Sequence, residues 1–95
     1  MVMPSTLLDE IGQALQVDRE TLITQGIVSL LNEKKRRALL DRLELLVRHG
    51  VRSREALEQA IHEGTIAEHP AWEDLIVLEN LDAEIARIDG YLQHL

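Results

Sequence analysis

Leu78, Leu81, Ile85, Ile88, Leu92 and Leu95 recur at alternating intervals of three and four residues, and no other pattern restricts the fold of this chain so strongly. Only an α-helix puts all six on one side; a strand returns its side chains to a face at every second residue. Leu78, Ile85 and Leu92 form one row of a heptad seam, and Leu81, Ile88 and Leu95 form the other. Extended backward, the pattern reaches Ala71 and a polar position, Asp74. Such a row must be covered by a second helix. Leu39, Leu43 and Leu46 supply a matching stripe. The expected architecture is therefore all-α: an antiparallel hairpin of two long helices, with short flanking helices at its ends.

Local signals place these elements within a single helical domain over residues 1–95. A short helix is expected over 5–16, capped by Ser5 or Thr6 and carrying Leu7, Leu8, Ile11 and Leu15. Asp18 is a good cap for a long helix over 19–49, about 46 Å in length at 1.5 Å per residue. A break near Asn32 is the rival reading. Gly50 stands where a left-handed residue ends a helix. Ser53 caps a short helix over 54–63, which Gly64 ends. Pro70 opens the last helix, over 70–94, at a position where a missing N–H costs nothing. Phe and Cys are absent, and Trp72 and Tyr91 are the only aromatic residues. The core is therefore aliphatic, and disulfides and thiolate metal sites are excluded.

Charge is sorted along the chain. Eight of the ten Lys and Arg residues lie between Lys34 and Arg54, beside only two acids. From Glu55 onward there are ten acids and one cation, Arg87. The basic stretch is expected to face the acidic helix within the hairpin. Exposed ion pairs contribute only about 0–1 kcal/mol each, so aliphatic burial must hold the pair together while charge selects its orientation. Leu30, Leu31, Leu45, Leu75, Ile76 and Val77 do not all fit one seam, and completion of the core by dimerisation is expected. The start of the chain lacks the basic and apolar regions of a secretory leader, and no apolar run approaches the roughly 20 residues that cross a bilayer. A cytoplasmic protein without a membrane partner is the expectation.

The motifs of catalysis are missing. His49, His62, His69 and His94 include no pair at helical metal-binding spacing. His62, Glu63, Glu68 and His69 flank one loop and read as surface residues near helix ends. The serines have no nucleophile context, and the glycines are too scattered to cradle phosphate. No enzyme activity, metal or cofactor is expected. Lys34, Lys35, Arg36 and Arg37 form the candidate nucleic-acid contact, although four successive cations spread around a helix and no stacking aromatic lies nearby. Trp72, beside Pro70, Glu73 and Asp74, reads as a plug for the end of the hairpin; an exposed binding anchor is the competing reading.

Three segments resemble small prokaryotic helical proteins associated with antitoxin genes. One runs from Arg19-Glu20-Thr21-Leu22 to Leu30-Leu31-Asn32-Glu33-Lys34. Another is Gly50-Val51-Arg52-Ser53-Arg54-Glu55-Ala56-Leu57-Glu58. The third runs from Gly64 through His69-Pro70-Ala71-Trp72-Glu73-Asp74 and continues in Glu79-Asn80-Leu81. No N-terminal strand of the ribbon–helix–helix type is recognisable in the short stretch from Met1 to Pro4. The resemblance implies an inhibitor that binds and neutralises a basic partner protein such as a nuclease-like toxin. Glu68, Glu73, Asp74, Glu79, Asp82 and Glu84 would meet the partner's cations, and Trp72 and Ile76 would anchor the contact. The alternatives are a nucleic-acid-binding regulator using residues 34–54 and a purely structural homodimeric bundle.

Overall fold

The hairpin is present, but the helix that closes it is rotated from the expected setting. The computed structural model describes residues 3–95. Met1 and Val2, which belong to the leader and strand readings, lie outside the described residues. Four helices follow in order: α1 (Ser5–Leu15), α2 (Arg19–Arg48), α3 (Arg54–Glu63) and α4 (Glu68–Gln93). No strand occurs among the described residues.

Caps explain most of the boundaries. Asp18 Oδ1 accepts from the Thr21 backbone N–H at 2.7 Å, and Ser53 Oγ accepts from that of Ala56 at 3.0 Å. Each satisfies one of the N–H groups that a helix start leaves without a partner. Gly50 and Gly64 take φ values of 64° and 77°, the left-handed conformation that a side chain disfavours. The start of α1 departs from expectation. Pro4 holds the cap position without a side-chain bond, and its carbonyl accepts from Leu8 N, so Ser5 is already helical. α2 runs through Asn32 without a break. Helical dihedrals in α4 become continuous at Pro70, because His69 is extended (φ −109°, ψ 129°) as the residue before proline tends to be.

The seam of α2 consists of Leu31, Lys35, Ala38, Arg42, Leu45 and His49, all buried or half-buried. Leu39 and Leu43, expected there, are 45% and 55% exposed. Leu46 is buried, in a cluster with Leu45, Leu57, Ile61, Ala71, Leu75 and Leu78. The displaced expectation has a physical cause. Lys35 and Arg42 bury their aliphatic stems between the helices while their charged ends reach acids on α4, so two seam positions look like surface positions in the sequence. In α4 the expected row is largely inward. Leu78 and Ile88 are buried and Leu81, Ile85 and Leu92 half-buried, while Leu95 lies beyond the helix and is exposed.

Three contacts, seven residues apart on α2 and seven then eight apart on α4, set the register: Lys35 Nζ to Asp89 Oδ1 at 2.7 Å, Arg42 Nε to Asp82 Oδ1 at 2.6 Å, and His49 Nε2 to Asp74 Oδ2 at 2.7 Å. Position numbers rise along α2 as they fall along α4, so the two helices are antiparallel. α3 covers one end of this pair and completes the aliphatic cluster. Its first residue, Arg54, lies against Asp82, 3.7 Å away. α1 packs on the beginning of α2. There, a Cβ on Gly12 would stand 2.9 Å from the Val17 carbonyl oxygen and 3.9 Å from Leu22 Cδ2. The molecule measures 61 × 26 × 17 Å, with a radius of gyration of 19.7 Å, against about 12 Å for a compact domain of this length.

Candidate partner-binding face

Trp72 and Ile76 are one helical turn apart and therefore share a face of α4. Both are 47% exposed. Trp72 does not plug the hairpin, because Ala71, Leu75 and Leu78 already fill that place from the adjacent face of the same helix. Its ring instead borders a shallow depression of about 340 Å³ that it shares with Ile61 and His62 of α3 and with Glu68. A second depression, about 360 Å³, is lined only by polar side chains of the α2 start: Asp18, Glu20, Thr21, Thr24 and Gln25.

Five of the six acids expected to join Trp72 separate into two groups. Glu68, Glu73 and Glu79 are exposed. His69 Nδ1 lies 3.0 Å from Glu73 Oε1. The Glu73 backbone N–H, and then this histidine, hold the Glu73 carboxyl below the usual carboxylate range. Asp74 and Asp82 instead face α2. His49 and Arg48 both bond Asp74 Oδ2, at 2.7 and 3.3 Å, and Asp82 is shared between Arg42 and Arg54. The His49 hydrogen bond is the main reason that the Asp74 carboxyl lies below its ordinary range. These two acids are engaged within the hairpin. Glu84 is half-buried, farther along α4.

The basic candidates divide in the same way. Lys35 pairs with Asp89 across the seam, and Arg36 bonds Glu33 through both Nε and Nη2, at 3.0 and 2.7 Å. Lys34 and Arg37 are exposed and form no ion pair among the described residues. Lys34 and Arg37 are three residues apart and share one side of the helix, and two cations alone make a short track for a phosphate backbone. Among the described residues, no three His, Cys, Asp or Glu side chains converge as metal ligands would, and no helix is long and apolar enough to cross a membrane.

The sequence reading missed a second exposed apolar group, on α2: Leu39, Leu40, Leu43 and Val47. The signal was available in Lys35, Arg42 and His49, whose seven-residue spacing runs against acids spaced seven and eight apart on the last helix and turns these aliphatic residues outward.

No curated protein and no solved structure matches the chain. Its relationship to other proteins is nonetheless defined at the level of the family: the sequence pattern of the uncharacterized protein MJ0235 family matches residues 1–95, and the chain belongs to that family.

Proposed function

We propose that this chain is a small protein-interaction module that acts as an antitoxin-like inhibitor, masking a basic partner protein. The observation that carries this reading is the exposed Trp72–Ile76 pair, set beside the depression between α3 and α4 and edged by Glu68, Glu73 and Glu79. Trp is enriched at the energetic centre of interfaces. Acids around an apolar anchor would steer a cationic surface toward it and suppress association with acidic proteins. The mechanism needs no chemistry: the module would occupy the surface by which a nuclease-like partner receives phosphate.

A photo-crosslinking residue at Ile76, expressed in the native host, tests this reading. The expected product is a basic protein, and its purified complex should weaken at least about tenfold on Trp72→Ala. Glu68→Lys combined with Glu79→Lys should weaken it further and flatten its salt dependence. An acidic partner, or a partner whose affinity ignores all three substitutions, defeats the proposal.

A further inference from the structure

The outward side of α2 carries a second heptad row that nothing among the described residues covers beyond its first residue. Leu22, Gly26, Ser29, Glu33, Arg36, Leu40, Leu43 and Val47 are spaced alternately by four and three residues. At 100° per residue this row lies roughly 160° around the helix from the seam that meets α4. Leu22 is half-buried beneath α1, and the other seven are exposed. Large side chains occupy the C-terminal half of the row, and small ones the positions before Glu33.

That order is self-complementary in reverse. When two copies of α2 lie antiparallel with a two-fold axis between Lys34 and Lys35, Gly26 meets Leu43 of the second copy, Ser29 meets Leu40, Glu33 meets Arg36, and Val47 reaches the edge of Leu22 beside α1. Each pairing joins one heptad row to the other, as antiparallel helix packing requires. Each large residue beyond the centre falls opposite a small one or an aliphatic one. The charges close the centre: Glu33 and Arg36, already 2.7 Å apart within one chain, would form a four-membered cluster about the axis. A parallel pairing would instead stack Glu33 on Glu33 and Arg36 on Arg36. We infer that a second copy of this chain docks antiparallel on the outer face of α2, around the Glu33–Arg36 centre. This surface shares no residue with the Trp72 face, so the inference stands or falls independently of the proposed function.

The chain has no cysteine, which makes the register directly testable in the full-length protein. A Cβ at Gly26 meets no atom within 4 Å, and Leu43 is exposed, so both positions accept cysteine without disturbing the fold. Under mild oxidation, a mixture of Gly26→Cys and Leu43→Cys chains should yield a disulfide-linked heterodimer, and neither variant alone should do so. Light scattering should give twice the chain mass of 10.8 kDa at high protein concentration. Glu33→Arg should shift the species to the monomer, and Glu33→Arg with Arg36→Glu should restore the dimer, with helix content by circular dichroism unchanged throughout. A monomer at every concentration, self-linking of Gly26→Cys chains alone, or a dimer indifferent to Glu33→Arg overturns the inference.

Discussion

Asp74 stands where a heptad would ordinarily place an apolar residue, and its side chain is only 13% exposed. Such a carboxylate is tolerable because His49 and Arg48 share its Oδ2 atom; an unpartnered charge in that position would be strongly destabilising. The consequence for pH follows from the direction of its shift. A carboxyl held below its ordinary value in the folded chain contributes stability that is fully present above the unfolded value, and this is lost as pH falls toward the folded one. The stability difference between the native chain and Asp74→Asn should therefore be largest near neutrality, about 2 kcal/mol for the loss of a hydrogen-bonded charge, and should shrink as pH falls below about 5. Urea titrations of both chains across that range measure it. A difference that stays constant with pH would assign the effect of the substitution to packing alone. Glu33, Glu55 and Glu73 are also held low, so the absolute pH dependence of either chain cannot isolate Asp74, whereas the difference can.

Among the elements, α2 sets the register of the hairpin, because aliphatic contact holds it to α4 while charged rungs select how the two helices align. Arg42 and Asp82 lie at the middle of the three charged rungs, both 29% exposed. Arg42→Glu should place two acids at that rung and lower the thermal midpoint. Adding Asp82→Arg should recover most of the loss, leaving a residual because Arg54 also contacts Asp82. Calorimetry of the two single variants and the double variant gives the coupling directly, and an additive result would show that the rung does not select the register. The same rung shows what was legible in the sequence. The helices, the caps at Asp18 and Ser53 and the turns at Gly50 and Gly64 follow from local chemistry that the chain states residue by residue. The rotation of α2 does not. Leu39, Leu43 and Leu46 form a better apolar stripe than Ala38, Arg42 and Leu45, and only the partner helix, with acids at Asp74, Asp82 and Asp89, makes the second stripe the inner one. Trp72 was misplaced for a related reason: a lone tryptophan is usually well buried, but here the small Ala71 and the two leucines that follow it fill the core without it.

At the scale of the whole molecule, the core is concentrated at one end. Leu57, Leu75 and Leu78 are wholly or almost wholly buried where α2, α3 and α4 meet. At the other end α1 lies on the start of α2, and Leu7, Leu15, Ile23, Ile27 and Leu30 remain exposed. Local opening follows the density of apolar burial, so the two ends should not open together. Amides of α3 and of the Leu75–Leu78 turn should exchange only by global unfolding, and those of α1 should exchange sooner through undocking. Leu57→Ala removes a fully buried side chain and should cost about 3 kcal/mol, accelerating the first group while leaving α1 nearly untouched. Concentration separates a further contribution. The proposed second copy would lie over α2 from Leu22 to Val47, reaching the thin end and bypassing α3. Protection in the first half of α2 should then rise with protein concentration, and that of Leu57 to Ile61 should rise only as far as the second copy stabilises the whole fold. Hydrogen exchange followed by mass spectrometry at two concentrations reads both effects from one sample. If α1 and α3 were to open at a common rate insensitive to concentration, the long molecule would instead be one cooperative unit, stabilised along its whole length by the charged seam.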